Sequence, residues 1–314
     1  MSILLTLFES QERHAWQSAF AELLGDESVW MADEVPDPDL VQLAIIGRLP
    51  PEGLGIYPNL EAVLLLSAGV DHLIGPGYDT LDAIPPVPIV RLADPAMAHA
   101  MGVYALHWVI HYQRNLHLYR EDALFQQWTR RESSPPGEFQ VGILGYGKIG
   151  QVVGDLVGSL GYPINVWSRS ERDDVGVRSF SGADSLERFL GASNLVINLL
   201  PLTEETRGML DAGRLDQMRH GAFLVNIGRG GTVDNDALLV ALDSGALGGA
   251  ALDVFDPEPL PADSPLWIHP RVVVTPHMSG DTPLATAPGI VAANIMRIRN
   301  SEQPHPLFDR DRGY

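Results

Sequence analysis

The stretch "FQVGILGYGKIGQVVGDLV", residues 139–157, decides the fold. An apolar run ends at Leu144, a glycine-rich turn follows, and a segment with helical spacing begins at once. Gly145, Gly147 and Gly150 stand in the GxGxxG pattern. The first glycine permits a tight turn, the second lets the backbone approach a pyrophosphate, and the third lets helix and strand pack closely. A helix opening at this turn aims unbonded N–H groups and a partial positive charge at the phosphates. The stretch predicts a strand–turn–helix unit that binds a dinucleotide, with Gly145, Gly147, Lys148, Ile149 and Gly150 at the cofactor.

Downstream, "INVWSRSER" at 164–172 occupies the distance at which an acidic residue normally meets the adenosine ribose of NAD. Ser168, Arg169 and Ser170 stand there instead. A carboxylate at this point repels a 2′-phosphate, whereas the guanidinium of Arg169 attracts it with a forked, charge-assisted contact, and the two serines add donors. Arg172 is a weaker helper. The reading is a preference for NADPH over NADH, against the alternative that Arg169 is a solvated loop arginine.

Working outward, two series of short apolar runs alternate with helix-compatible segments. Before residue 93 lie "ILLTLF", a polar segment at 11–24, "VQLAIIG", "LEAVLLLSAGV" and "VPIVRL". After the polar cluster "RRESSPPGE" at 130–138 come "FQVGILGYG", "INVW", "NLVINLL", "GAFLVNIG", "GGAALDVF" and "RVVVTP". Alternation of this kind predicts α/β architecture with parallel sheets, in two domains. Asp94 followed by Pro95 signals a helix start, and one long helix is expected through "AMAHAMGVYALHWVIHYQRNLHLY". His99, His107, His111 and His117 on that segment are read as packing or dimer-contact residues, with no metal site.

Composition narrows the function. The chain has 314 residues, 40 acidic against 21 basic, a formal charge of -19, and no cysteine. Thiolate metal sites, disulfides and cysteine nucleophiles are excluded, and the charge opposes binding to nucleic acid or an anionic membrane surface. Lys148 is the only lysine, so the remaining cations are arginines. Salt adaptation and drift in base composition both account for the acidic balance. The amino-terminal run "ILLTLF" is too short to span a bilayer and follows no basic residue, so a first strand and a cytoplasmic protein are expected.

Three later strand ends carry polar residues that core strands do not need. "VNIGRGG" presents Arg229, "LDVFDPEPLP" presents Asp253 and Glu258, and "VVVTPHMSG" presents His277. In an open α/β sheet, ligands bind beyond the carboxyl ends of the strands, so these residues are expected at the cofactor crevice.

The combination "GILGYGKIG", "WSRS", "INLLPLTEETRGML", "LVNIGRGG", "ALLVALDSGALGGAALDVFDPEPLP", "SPLWIHPRVVVTPH" and the terminal "DRDRGY", with "LLLSAGVDHL" in the first domain, resembles the D-isomer-specific 2-hydroxyacid dehydrogenase family, most of all its glyoxylate/hydroxypyruvate reductase A type. The resemblance implies a Rossmann-type doubly wound sheet, residues 99–285, inserted into a smaller flavodoxin-like substrate domain, residues 1–98 and 286–314. It implies reduction of a small 2-keto acid, glyoxylate or hydroxypyruvate, by hydride from NADPH. Arg229 would hold the carboxylate and polarise the carbonyl, His277 would donate the proton, and Glu258 would orient the imidazole and favour its charged form. Leu200, Pro201, Ile227 and Gly228 would line the cofactor, and Asp253 would meet the nicotinamide carboxamide. The backbone at Ala68 and Gly69 would bind the substrate carboxylate. Arg48 in "IIGRLPP" is a candidate to reach the substrate from the first domain, against the favoured reading of an ordinary solvent-facing arginine. A homodimer built on the helix after Pro95 is also implied. Met278, Ser279 and Gly47 depart from the family pattern and bear on the pocket. Two other readings stay open: an NAD-dependent dehydrogenase of another 2-hydroxy acid such as 3-phosphoglycerate, and a dinucleotide-sensing interaction protein of the same fold.

Overall fold

The computed structural model describes residues 2–8, 11–25, 27–70, 73, 83–172 and 176–310, without the side chain of Glu121. Asp71 and His72 of the "LLLSAGVDHL" motif and the last four residues of "DRDRGY" lie outside the described residues. The chain divides into two compact units: Met1–Met97 with Thr282–Tyr314, and Ala98–Asp281.

The first unit holds β1 (Ser2–Thr6), α1 (Arg13–Leu24), β2 (Ser28–Met31), β3 (Val41–Ile46), β4 (Ala62–Leu65), β5 (Ile89–Val90) and the returning α8 (Ala287–Arg299). Its five strands are parallel in the order β2-β1-β3-β4-β5, the flavodoxin-like winding. Successive strand residues face opposite sides, and both sides are apolar. Ile3, Leu5, Leu43 and Ile45 meet Trp16 and Phe20 of α1 and Val291 and Ile295 of α8. Leu4, Ala44 and Ile46 pack on the other side with Leu54, Tyr57 and Leu60. This two-sided burial is why the strands read as continuous apolar runs and not as alternating ones. β2 was not among the apolar runs of the sequence, and its first residue, Ser28, is exposed.

The second unit contains most of α2 (Pro95–Gln113), then α3 (Leu116–Leu124), β6 (Val141–Leu144), α4 (Lys148–Gly158), β7 (Ile164–Ser168), β8 (Val177–Ser181), α5 (Leu186–Ala192), β9 (Leu195–Asn198), α6 (Ala212–Asp216), β10 (Ala222–Asn226), α7 (Asn235–Asp243), β11 (Leu247–Leu252) and β12 (Val272–Val274). Its seven parallel strands run β12-β11-β10-β9-β6-β7-β8. The chain therefore starts mid-sheet, winds to one edge and returns to build the other half. Its order reverses between β6 and β9, where an open sheet leaves a crevice for ligands. One face packs α2 and α4 through Trp108, Val109, Val153 and Val157, and the opposite face packs Phe189 of α5 and Leu238 of α7. The α/β, doubly wound expectation is met in both sheets.

Two details differ from the sequence reading. The helix expected to run to Tyr119 is broken in two, because Asn115 adopts a left-handed conformation (φ 57°, ψ 30°). Asparagine tolerates this conformation better than most residues, and its side chain donates to the Glu132 carbonyl at 2.9 Å. The strand β8 was also missed. It is an edge strand whose residues are mostly half-buried or exposed, so "VRSFS" carries no apolar run.

Candidate active site

The glycine loop connects β6 to α4 at the point where the sheet order reverses. Gly145 has φ +102°, and a Cβ on Gly150 would lie 2.4 Å from the Gly145 carbonyl oxygen, so neither position accepts another side chain without moving the backbone. Gly147 has no heavy atom within 4 Å of where its Cβ would stand. That space lies at the start of α4, whose N-cap supplies no side-chain acceptor. Close packing behind the turn and open backbone in front of it fit a diphosphate. Gly147 and Lys148 are exposed, Ile149 is half-buried and Gly150 is buried. Leu200, Ile227 and Gly228 are buried close to this turn, and Pro201 is exposed. A Cβ on Gly145 would meet the Leu199 carbonyl carbon at 3.0 Å, and one on Gly228 would meet the Leu200 oxygen at 2.8 Å. The turns after β6, β9 and β10 are thus pressed together.

Arg169 follows directly after β7 and is exposed, as is Ser170. The Ser168 hydroxyl donates to the Ser170 carbonyl at 2.7 Å. A hydroxyl has one proton, so Ser168 shapes the turn here and does not offer a donor outward. Arg172 is half-buried, with its Nε sealed from solvent.

Arg229, Glu258 and His277 all lie in the second unit, in the loops that follow β10, β11 and β12. His277 Nδ1 and Glu258 Oε2 are 2.8 Å apart. The other oxygen, Oε1, accepts from the Phe255 N–H at 2.9 Å, so the carboxylate is gripped from both sides. With Nδ1 turned to the carboxylate, Nε2 is the ring nitrogen left to face a reactant. The imidazole is 47% exposed, which leaves it reachable. His277 also has φ 52°, a left-handed conformation that costs a side-chain-bearing residue about 1–2 kcal/mol. Such a residue persists only where its surroundings hold it.

Asp253 supplies much of that hold. It is fully buried; Oδ1 accepts from Thr275 Oγ1 (2.6 Å) and the Met278 N–H (2.9 Å), and Oδ2 accepts from the Ser279 N–H (2.9 Å). Its main-chain carbonyl accepts from the His277 N–H at 2.8 Å. The role visible for Asp253 is therefore to fasten the loop at 275–279. A contact with a carboxamide remains an expectation.

Arg229 is half-buried, and its Nη1 donates to the Gly228 carbonyl at 2.7 Å. Its own carbonyl accepts from Asn226 Nδ2 (3.1 Å) and Thr232 Oγ1 (2.6 Å). Behind these, the buried Asn198 donates to Asn226 Oδ1 (3.0 Å) and Thr232 Oγ1 (2.7 Å). The next residue joins two loops: a Cβ on Gly230 would fall 2.0 Å from the Phe255 carbonyl carbon. The arginine turn is thereby laid against the residue whose N–H fixes Glu258. Asn198, Asn226, Thr232 and Thr275 had no role in the sequence reading, although Asn198 and Asn226 each close an apolar strand.

Ala68 and Gly69 are half-buried in the turn after β4, where Ser67 Oγ donates to the Gly69 carbonyl at 2.8 Å. Arg48 is exposed, and its carbonyl accepts from Thr6 Oγ1 at 2.6 Å. A Cβ on Gly47 would lie 2.8 Å from backbone atoms of Leu7 and Phe8, so a larger side chain at this position has no room. Met278 is 46% exposed, and Ser279 is buried. Among the described residues, no group of three or more His, Asp or Glu is arranged to hold a metal ion.

The model of the NAD-binding domain of the D-isomer-specific 2-hydroxyacid dehydrogenases matches residues 106–279. A glyoxylate/hydroxypyruvate reductase A from Citrobacter koseri is 41% identical over 82% of this chain and 82% of its own. The enzyme of the same name from Escherichia fergusonii is 37% identical over 95% of this chain and 96% of its own. The crystal structure of a D-isomer-specific 2-hydroxyacid dehydrogenase from Xanthobacter autotrophicus, in complex with NADPH and MES, superposes with a TM-score of 0.93 at 34% identity, covering 100% of this chain and 99% of that one. With a family model over more than half its length and relatives this similar over most of theirs, the chain belongs to the D-isomer-specific 2-hydroxyacid dehydrogenase family, as an enzyme resembling the glyoxylate/hydroxypyruvate reductase A type.

Proposed function

We propose that this protein reduces small 2-keto acids, with glyoxylate and hydroxypyruvate as leading substrates, and that it prefers NADPH to NADH. The observation that carries the reading is the 2.8 Å pair of His277 Nδ1 and Glu258 in the same unit as an open dinucleotide turn. Bound NADPH supplies the hydride. The guanidinium of Arg229 binds the keto-acid carboxylate and draws electron density onto the carbonyl oxygen. His277, oriented by Glu258, gives its Nε2 proton to the forming alkoxide. Arg169 selects the 2′-phosphate, with Ser170 as a further donor. Asp253 serves the carboxamide, and Ala68, Gly69 and Arg48 serve the substrate.

In this reading the second unit is the dinucleotide domain and the first is the substrate domain. The protein is a cytoplasmic homodimer joined through α2 and α3. Val103, Ile110, Leu116, Leu124, Phe125 and Trp128 support that surface: they are large apolar residues exposed to water, Trp128 completely so.

The test is a set of initial rates with glyoxylate and hydroxypyruvate, each with NADPH and NADH, repeated for Arg169→Asp. Preference for NADPH that collapses in the variant is expected. Tight NADPH binding without turnover of any 2-keto acid would replace the enzyme reading with a dinucleotide sensor.

A further inference from the structure

A line of hydrogen bonds that starts from two residues without a part in the proposed reaction, Tyr104 and Thr275, ends at its proton donor. Tyr104, half-buried on α2, places its hydroxyl 2.7 Å from Thr275 Oγ1. Thr275 Oγ1 in turn lies 2.6 Å from Asp253 Oδ1. A carboxylate only accepts, so the threonine proton points to Asp253, and the Tyr104 contact must have the phenol as donor. Burial raises the pKa of that phenol, against the smaller opposing effect of its bond to Thr275, so it keeps the proton it donates. The sense of every bond in the line is therefore fixed.

Asp253 carries the line to the loop. The oxygen that accepts from Thr275 also accepts from the Met278 N–H, and its partner oxygen accepts from the Ser279 N–H. The same residue's carbonyl takes the His277 N–H. These bonds close on a residue at φ 52°, from which the ring reaches Glu258 at 2.8 Å. A rotation of the Asp253 carboxylate would release two amides on the carboxyl side of the histidine at once, and the ring would lose its fixed approach to Glu258.

We propose that Tyr104 and Thr275 are positioning residues for the proton donor: through Asp253 they lock the left-handed turn that aims His277. The kinetic part of this inference rests on the reductase reading above; the geometric part does not. Thr275→Val keeps the shape and removes the hydroxyl, Thr275→Ser restores it, and Tyr104→Phe removes only the outer donor.

The expected result is a kcat for glyoxylate reduction lowered about 10- to 100-fold in Thr275→Val, since misplacement of a reacting group by about 1 Å has that order of effect. Thr275→Ser stays within about threefold of the parent and Tyr104→Phe falls between, because only the outermost bond is lost. In a His277→Gln background, Thr275→Val lowers the rate no further, because the residue it serves is gone. Equal losses in the Val and Ser variants, or a full further loss in the His277→Gln background, would overturn the proposal in favour of a general structural role.

The second measurement needs no turnover: the ring-nitrogen 15N resonances of His277 in the parent and in Thr275→Val. The parent is expected to show a protonated Nδ1 held by Glu258, and the variant to lose that signature. An unchanged spectrum would sink the inference even with slowed turnover. If the parent does not reduce 2-keto acids, the reductase reading falls, and this spectrum alone decides the positioning claim.

Discussion

Replacement of Gly230 by alanine adds one methyl group at the tightest junction of the site. The new Cβ would stand 2.0 Å from the Phe255 carbonyl carbon, and 2.3 Å from its Cα and oxygen, all three of them backbone atoms. No rotamer relieves such a contact, so one loop must move. An ordinary contact begins at 3.4 Å, which sets the displacement at about 1.4 Å. The turn that moves carries Arg229 on one side, or the Phe255 N–H that grips Glu258 on the other. A shift of about 1 Å in a positioned group lowers rate by about 100-fold, equivalent to about 2.7 kcal/mol in the barrier. Insertion of a methyl group into a packed interior separately destabilises the fold by about 1–3 kcal/mol. The assay is kcat/KM for glyoxylate with NADPH, alongside the melting temperature and the NADPH dissociation constant. The expected pattern is a fall of about 100-fold in kcat/KM, a lower melting temperature and an NADPH affinity changed much less. A variant with parental kcat/KM and an unshifted backbone at Arg229 and Phe255 would refute the claim that this contact sets the distance between the two loops.

His277→Gln is expected to lower kcat by about 100- to 10,000-fold while NADPH binding, read by fluorescence titration, stays near the parent value. Phe189→Ala, which empties a fully buried position between the sheet and α5, is expected to lower unfolding stability by about 3–5 kcal/mol in urea titrations. His111 is held neutral down to about 4 by burial, and secondarily by the positive charge of His117, His107 and Arg120, against an ordinary value of 6.5. Between those two values the unfolded chain binds a proton that the folded chain refuses, so His111 makes the fold less stable as pH falls from 6.5 through about 4. Melting temperatures across that range should drop less steeply for His111→Gln, and parallel curves would show that His111 is not responsible.

The fold was legible in the sequence because two-sided burial turns parallel strands into plain apolar runs, and the glycine turn marks the middle of the larger sheet. What escaped was local and conditional. The edge strand β8 has no second face to bury, so its side chains need no apolar pattern. The break between α2 and α3 depends on one asparagine in a left-handed conformation, fixed by a carbonyl at Glu132 that no local pattern announces. The polar ends of the later strands were legible because Arg229, Glu258 and His277 interrupt apolar segments with groups that a core does not need.

The residues that hold those groups were not legible, and the reason is the same in both networks. Tyr104 and Thr275 lie 171 positions apart in sequence, and Asn198 lies 34 from Thr232. Asn198 and Asn226 do leave a trace, since each closes an apolar strand and the two stand opposite each other in register. A buried asparagine without partners is destabilising, so a polar residue at the end of two neighbouring core strands implies a shared partner. Here the partners are each other and Thr232, and what they fix is the carbonyl of Arg229. The arginine turn and the histidine turn are thus each fastened from behind by a buried polar residue at or just past a strand end, one through an amide and one through a carboxylate. Arg229 and His277 sit on loops, but their directions are set by residues at the ends of β9, β10 and β11, and substitution of Asn198 or Asn226 is expected to change the rate of the proposed reaction without touching a reactant.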